Sequence, residues 1–354
     1  MTTATLKSVT DPVEPSAPDT VGFHVNRLIG GPPQLTIREV AELAGVGVPF
    51  VRTFWRAMGF ANVADDEVVF TPFDAEAIMG WKKLLRSSRV DERTAVSLLR
   101  AESHITDRLV LWQVEALIDD VARRKNLDDT SARLVVLDSI SDDYELLTDQ
   151  LAYAWRRQLA ALARRIDVEV SRRGADDDAT ELPLLRSLGF VDMVAYTRRS
   201  RELDVTQLTE LVQGFEFTAR DVITSLGGRV VKTIGDAVLY IADDLETGAE
   251  IVLGLIEALK ADPRLLPVRA SLVQGRVVSH SGDIFGPVVN VASRLADIAH
   301  PGTVLMDEST AAILQASPTG HQYDLSPRPV VEVQGLGEIR PIELRKKPEF
   351  EADD

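Results

Sequence analysis

The order of extended and helical segments in the second half of the chain is the feature that most constrains its fold. After an acidic, small-residue break at residues 174–179, runs of β-branched and aromatic residues alternate with segments of helical periodicity. The first segments are predicted to be strand, helix, hairpin, helix and strand, at Leu188–Ala195, Val205–Leu226, Arg229–Ile241, Thr247–Lys260 and Val268–Val278. This order predicts a sheet with helices on one face and a second face free to form a cleft.

Strand, helix, strand, strand, helix, strand is the ferredoxin-like order, so the sequence predicts an α+β fold for this half. Further segments are expected after it. They are a helix at Phe285–Ala299, a strand at Val304–Met306, and a late strand pair at Val330–Val333 and Ile339–Leu344.

The first half of the chain predicts helices only. Thr36 and Glu39 have the spacing of a capping box. Two short helices are predicted after Thr36, the second at Val48–Met58, followed by a wing at Phe60–Phe70 and a helix at Phe73–Leu85. This arrangement resembles a MerR-like helix-turn-helix.

Two interpretations of that unit stay open. One is DNA binding through Arg52 and Arg56; the other is a small helical packing unit. The net charge of −16 argues against general affinity for nucleic acid or anionic membranes, because phosphate groups repel an acidic surface. We therefore favour the packing unit and do not expect nucleic acid as a partner.

Helical periodicity continues from Asp91 to Arg173, and the last helix, Asp142–Arg173, is long and amphipathic. It is either a stalk that joins two halves or an ordinary domain helix. The predicted organisation is a tail, a helical domain, a linker, an α+β domain and a second tail, at residues 1–20, 21–173, 174–181, 182–347 and 348–354.

Composition excludes several classes of site. The chain has no cysteine, which excludes disulfides, thiolate metal sites and cysteine nucleophiles. The first residues lack the basic and apolar runs of a signal peptide, and no apolar stretch is long enough to span a bilayer. We expect a cytoplasmic protein.

The stretch Gly228–Asp236 carries a lysine and a carboxylate four residues apart, Lys232 and Asp236. Their flanks predict a hairpin with Lys232 near the end of one strand and Asp236 at the turn. A turn carboxylate can meet a metal ion, and a lysine facing a cleft can donate to a base or a phosphate. For this stretch alone, a surface hairpin with a solvated ion pair is an equally good interpretation.

Three other fragments add polar residues. Asp192 follows an apolar strand and precedes a helix start, whose backbone N–H groups suit a phosphate. Arg276 is expected at a strand end. Asp283 lies in a loop seven residues before Asn290, and Asn290 and Arg294 share one helical face.

With these residues, the half from about Leu182 to Lys347 resembles the catalytic domain of class III nucleotidyl cyclases. The resemblance implies a ferredoxin-like catalytic domain preceded by an all-α regulatory domain. It implies that Asp192 and Asp236 hold two Mg²⁺ or Mn²⁺ ions per site, with the Met193 carbonyl completing one shell; such ions prefer oxygen ligands.

The resemblance also implies an adenylate cyclase that converts ATP into 3′,5′-cyclic AMP and pyrophosphate. Lys232 and Asp283 would read the adenine edge, Asn290 would orient the ribose, and Arg294 would stabilise the α-phosphate. Arg276 would hold the β- and γ-phosphates. The implied substrate-binding residues are Lys232, Asp283, Arg276 and Thr197.

In this family the two aspartates and the base-reading residues come from different copies, so an obligate homodimer is expected. Two departures are visible: Ala195 stands where a glycine is usual, and Gln334 where a polyphosphate-binding lysine is usual. Arg345 or Lys346 is a candidate substitute for that lysine.

The first half resembles, more loosely, the helical regulatory domain of soluble actinobacterial cyclases. This implies control of the catalytic dimer through the helix that ends near Arg173, and an apolar helical bundle could host a small apolar or lipid ligand. The alternative function is a DNA-binding or nucleotide-sensing regulator with a weakly active or inactive cyclase domain.

Overall fold

The computed structural model describes residues 20–87, 89–173, 184–280 and 282–348. The chain divides into two compact units, Met1–Asp176 and Asp177–Asp354. The predicted linker, and all but one residue of each predicted tail, lie outside the described residues.

The described part of the first unit is helical, as the sequence predicts. Its helices are α1 (Thr20–Leu28), α2 (Ile37–Ala44), α3 (Val48–Ala57), α4 (Pro72–Arg86), α5 (Glu92–Lys125), α6 (Asp129–Leu137) and α7 (Tyr144–Arg173). None of the described helices in either unit is both long and apolar enough to cross a membrane.

The capping box is confirmed at the start of α2. The Thr36 hydroxyl accepts from the Glu39 backbone N–H, and the Glu39 carboxylate accepts from the Thr36 N–H at 2.8 Å. The predicted wing is different in the structure, because the chain between α3 and α4 pairs only through an isolated bridge from Phe70 to Leu35. The acidic turn between them is used instead to hold arginines, since Asp65 pairs with Arg38 and Arg52.

Helix α1 connects distant parts of the first unit, which sequence periodicity did not reveal. Its buried His24 lies 2.7 Å from both the Ser141 hydroxyl and the Asp138 carbonyl oxygen. Just after α1, the Ile29 carbonyl accepts from the Thr71 hydroxyl. Helix α6 ends at Leu137, and the residues that follow it, Asp138 and Ser141, contact α1 through His24.

The second unit is built on one mixed sheet with helices. Its strands are β1 (Leu184–Met193), β2 (Arg229–Ile234), β3 (Ala237–Ala242), β4 (Val268–Ser271), β5 (Val273–His280), β6 (Asp283–Phe285), β7 (Val304–Met306), β8 (Tyr323–Pro327), β9 (Val331–Val333), β10 (Gly337–Ile339) and β11 (Ile342–Lys346). Its helices are α8 (Tyr196–Arg199), α9 (Val205–Ser225), α10 (Leu245–Ala261), α11 (Pro287–Ile298) and α12 (Glu308–Ala316).

The sheet order confirms the ferredoxin-like prediction. The path β2-β3-β1-β4 continues through β7 and β11 to β8, and β5 extends the pairing along β1. Neighbours within the first four strands are antiparallel, and β4 and β7 are parallel.

Two strand predictions were wrong. The single strand predicted at Val268–Val278 is divided at Leu272, whose N–H donates to the Leu305 carbonyl at 2.9 Å. The late strand pair is not Val330–Val333 with Ile339–Leu344, because β9 pairs with β10 while β11 joins the main sheet. Pro341 separates β10 from β11, since proline has no N–H to donate to a ladder.

Both faces of the sheet are partly covered. Helices α9 and α10 pack on one face, which we call the helix face, over Val191 and Met193. Helix α11 packs on the other, which we call the site face, where Leu188 and Leu239 meet Leu295. The second face is therefore not fully free, because α11 covers part of it.

Candidate active site

Two carboxylates meet where β1 ends beside the β2–β3 turn. Asp192 shares the site face with Leu188 because side chains alternate along a strand, and it pairs with Ala237 across the ladder. Asp236 lies in the turn, beside Gly235, which has a left-handed φ of 61°. The Met193 N–H donates to the Asp236 carbonyl at 2.9 Å and so fixes the turn against β1.

Arg269 on β4 binds Asp192 directly. Its Nε and a terminal nitrogen lie 2.8 and 2.7 Å from Asp192 Oδ2. Burial raises the pKa of Asp192. The carboxylates of Asp236 and Asp297 also raise this pKa, whereas the contact with Arg269 lowers it, and the net shift is upward. A cation therefore already compensates part of the charge at this end of the sheet.

The same arginine connects Asp192 to α11. Arg269 also donates to the backbone carbonyl of Asp297, and the Asp297 carboxylate lies 3.2 Å from a guanidinium nitrogen of Arg294. Asn290 lies one turn before Arg294, and both are exposed. The predicted catalytic residues Asn290 and Arg294 therefore expose their polar groups on the same side of α11.

Lys232 and Asp283 form a second cluster on the site face. Lys232 Nζ lies 2.5 Å from Asp283 Oδ2. A register shift between Val230 and Lys232 places Lys232 opposite Leu239, a residue of the site face; a bulge can re-aim a side chain in this way. The hydrogen bond from Lys232 lowers the pKa of Asp283. These residues were distant in sequence, and the fold brings them together.

The two clusters are separate within one chain. Lys232 on β2 pairs with Leu239 on β3, and Leu239 pairs with Phe190 on β1. Asp192 lies two residues beyond Phe190, on a strand that is separated from β2 by β3. Ladder spacing gives about 12 Å between the Cα atoms of Lys232 and Asp192.

A single chain therefore has two separate clusters on this face. We call the cluster at Asp192 and Asp236 the carboxylate end, where Arg269 binds Asp192. We call the ion pair of Lys232 and Asp283 the lysine end.

The structure does not bring Arg276 to either cluster. Val273 and Val277 pack on the site face, so Arg276 between them projects to the helix face. It pairs with Leu185, seven residues before Asp192, a distance along β1 of about 23 Å. Arg276 lies within β5 and not at its end, and Arg269, which the sequence analysis did not single out, is the arginine that contacts Asp192. The registers in which β4 and β5 pair with β1 distinguish the two arginines.

The remaining predicted residues lie near the carboxylate end or the late hairpin. Thr197 is exposed in the short helix α8, which begins after Ala195. Ala195 has φ 63°, a left-handed conformation that favours glycine. Gln334 is exposed in the turn that joins β9 and β10.

Arg345 and Lys346, the proposed substitutes for the missing lysine, are each in an ion pair. Either side chain would have to break that ion pair to contact a polyphosphate. Arg345 binds the buried Glu343 at 2.5 Å, and Glu343 also pairs with Arg328. Lys346 lies 3.2 Å from Glu250 on α10.

The donor set fits a hard divalent cation that shares its ligands with a substrate. Asp192 and Asp236 supply carboxylate oxygens, and no group of three or more His, Cys, Asp or Glu side chains suited to a metal occurs among the described residues. Mg²⁺ usually binds through one or two carboxylates together with water and substrate phosphates. The Met193 side chain is buried on the helix face, so its backbone carbonyl is the part available for such a shell.

Comparison with known proteins identifies the second unit. Residues 186–345 match the model of the adenylate and guanylate cyclase catalytic domain. A protein of Glutamicibacter nicotianae named adenylate cyclase is 41% identical over 92% of this chain and 82% of its own length. An adenylate cyclase of Streptomyces coelicolor is 35% identical over 80% of this chain and 72% of its own length.

The fold also resembles solved structures. The guanylate cyclase domain of RhGC from Catenaria anguillulae, in complex with GTP, aligns with 47% of this chain and 98% of its own, at 20% identity and a TM-score of 0.43.

Proposed function

Because the chain belongs to the class III adenylate cyclase family, we propose that it converts ATP into 3′,5′-cyclic AMP and pyrophosphate at sites shared between two copies. The observation that supports sharing is the separation of the clusters. The carboxylate end and the lysine end face the same side of the sheet, yet each is occupied by its own partners within one chain. Two chains packed head to tail would set the carboxylate end of one against the lysine end of the other.

Base recognition is proposed for the lysine end. Lys232 would donate to adenine N1, and Asp283 would accept from the 6-amino group. The hydrogen bond between them supports these roles, because it holds one donor and one acceptor side by side. The low pKa of Asp283 keeps it an acceptor.

Phosphate and ribose contacts are proposed for α11 and β4. Asn290 would orient the ribose, and Arg294 would bind the α-phosphate as its charge grows, an effect worth on the order of a few kcal/mol. For the β- and γ-phosphates, the geometry favours Arg269 over Arg276, since Arg269 lies at the carboxylate end. Thr197 and the backbone of α8 would complete that end.

Asp192 and Asp236 would hold two Mg²⁺ or Mn²⁺ ions, together with the Met193 carbonyl. When bound, such ions lower the pKa of the attacking 3′-hydroxyl and neutralise charge on the leaving pyrophosphate. Asp192 would have to exchange its contact with Arg269 for one with the metal, which frees the guanidinium to meet a phosphate.

The test is complementation between two inactive variants. Asp236→Ala and Lys232→Ala chains are co-expressed with different tags, and the heterodimer is isolated through both. We expect each homodimer to be inactive and the heterodimer to have about half the activity of the wild-type dimer, because one of its two sites is intact. Labelled ATP and Mn²⁺ give the rate of cyclic AMP formation.

The matched control places both substitutions in one chain and pairs it with a wild-type chain. If sites are shared, that heterodimer is inactive, because each site lacks one residue. Half activity there, with none in the first heterodimer, would show that each chain holds its own site.

We further infer that the helical unit regulates the catalytic unit. Its similarity to the relatives extends through this half, since the alignments cover 80% and 92% of the chain. A lipid ligand stays a prediction: the cavity beside Phe54 and Trp81 measures about 20 Å³, room for a water molecule rather than an acyl chain. DNA binding gains no support, because Arg52 is held by Asp65 and the Val63 carbonyl.

A further inference from the structure

The ion pair between Arg269 and Asp192 engages the whole guanidinium group. Arg269 Nε and one terminal nitrogen both donate to Asp192 Oδ2, at 2.8 and 2.7 Å. The other terminal nitrogen donates to the backbone carbonyl of Asp297 on α11. Each nitrogen of the guanidinium therefore has a partner, and an anion that binds the same group must compete with these contacts.

The strand register sets this pair. Arg269 on β4 lies directly opposite Asp192 on β1 in an antiparallel ladder, where Cβ atoms are about 5 Å apart. The two side chains are 28% and 17% exposed, so salt and water screen their attraction only partly. Because the guanidinium stays charged at neutral pH, it needs an anionic partner wherever it lies.

Asp236 provides the contrast at the same carboxylate end. It is half-buried, and among the described residues no arginine or lysine forms an ion pair with it, whereas Arg269 contacts Asp192. The two carboxylates that are proposed to share the divalent ions therefore differ within the chain itself. A cation of the protein holds one of them, and the other has none.

We propose that Arg269 is a positioning residue that makes the binding of divalent ions depend on the nucleotide. In the nucleotide-free protein Arg269 holds Asp192, and its positive charge and its two N–H donors on Oδ2 oppose a metal cation there. A triphosphate gives the guanidinium another anionic partner, and the carboxylate then becomes available to the ion. This inference rests on the function proposed above, which places Asp192 on the ions and Arg269 on the β- and γ-phosphates.

The exchange works in both directions. If the triphosphate raises the affinity for the ion by releasing Asp192, the ion raises the affinity for the triphosphate by the same factor, by releasing Arg269. Couplings between two ligands commonly amount to roughly 5–150-fold in affinity. Breaking the pair from either side therefore strengthens binding of the ligand that the remaining partner receives.

The first test measures Mn²⁺ binding to the full chain without nucleotide, by electron paramagnetic resonance of free Mn²⁺. Arg269→Gln removes the charge that holds Asp192. The control, Arg264→Gln, removes the same charge from an exposed arginine that pairs with Asp262. We expect Arg269→Gln to bind Mn²⁺ at least about tenfold more tightly than the wild type, and Arg264→Gln to match the wild type. Adding Asp192→Asn to the Arg269→Gln chain removes the tight site.

The second test releases the arginine and needs no metal. Asp192→Asn removes the carboxylate that holds Arg269, and Asp236→Asn removes the same charge from the same end without breaking an ion pair among the described residues. With EDTA present, titration calorimetry gives the affinity of the full chain for inorganic triphosphate. We expect Asp192→Asn to bind it at least about tenfold more tightly than Asp236→Asn, because the net charge changes equally in both variants.

Circular dichroism checks that each variant folds, and if Arg269→Gln does not, the two asparagine variants decide alone. Mn²⁺ affinity of a folded Arg269→Gln protein that is equal to that of the wild type, or too weak to detect, overturns the proposal. So does equal triphosphate affinity for the two asparagine variants.

These outcomes are distinguishable from those of the catalytic complementation. Failed complementation with both expected affinities leaves the exchange at Arg269 standing as a property of one chain. Successful complementation with unchanged affinities removes the exchange alone.

Discussion

The proposed nucleotide site differs from the class III pattern at Gln334 as well as at Ala195. Gln334 occupies the turn between β9 and β10 where the family pattern has a lysine that contacts the polyphosphate. Arg345 and Lys346, the candidate substitutes for that lysine, are paired with Glu343 and Glu250. We infer that the polyphosphate is held by fewer cations here than in the family pattern.

Restoring that cation should strengthen substrate binding. We expect Gln334→Lys to lower the KM for ATP up to about tenfold with little change in kcat, since a charge-assisted hydrogen bond is worth roughly 1.5 kcal/mol. The control is Glu332→Gln, two residues earlier on β9, which changes the net charge by the same amount. If both variants lower KM equally, the effect is general electrostatics and not a contact from residue 334.

Among the elements, β1 depends on a glycine at its centre. A Cβ on Gly189 would lie 1.9 Å from the Ser271 carbonyl oxygen and 2.8 Å from the Tyr240 hydroxyl. Gly189 also pairs with Tyr240 across the ladder to β3. Strand β1, which carries Asp192, can therefore lie this close to Ser271 and Tyr240 only because residue 189 has no side chain.

Adding a methyl group there should destabilise the catalytic unit. We expect Gly189→Ala to lower the free energy of unfolding in urea by roughly 3 kcal/mol, because the clash is with backbone and cannot relax by a rotamer change. Gly80→Ala, in the exposed interior of α4 where nothing lies within 4 Å, should instead raise it by up to about 1 kcal/mol. Similar effects from both substitutions would contradict the close approach of β1 to Ser271.

At the scale of the whole molecule, the chain has two compact units, and the first is proposed to control the activity of the second. Residues 1–176 form one unit and residues 177–354 the other, and α7 is the last helix before the catalytic unit. If α7 transmits a state of the helical unit, removing that unit must change the rate of cyclic AMP formation.

We expect a chain that starts at Thr180 to turn over ATP at a different rate from the full chain, and the expected direction is faster, because the control that the resemblance implies is usually inhibitory. A coupling free energy of 1–3 kcal/mol corresponds to a change of roughly 5–150-fold. Rates are compared at protein concentrations where sedimentation shows both chains to be dimers. Equal rates would remove the regulatory role, and Asp236→Ala in both backgrounds controls for contaminating activity.

The sequence by itself determined what depends on local pattern and motif. The capping box at Thr36, the long helix ending at Arg173, the βαββαβ order and the β2–β3 hairpin follow from periodicity and turn residues, which act over short distances. The family resemblance also specified Lys232 and Asp283, although 51 residues separate them.

Only the tertiary structure decided what depends on strand pairing and on the face that a residue presents. The pairing of β4 with β1 brought Arg269 to Asp192, and the alternation of β5 turned Arg276 to the helix face. The last strand, β11, joined the main sheet beyond Pro341 instead of pairing with β9. These outcomes depend on long-range hydrogen-bond register, which no short window of sequence encodes.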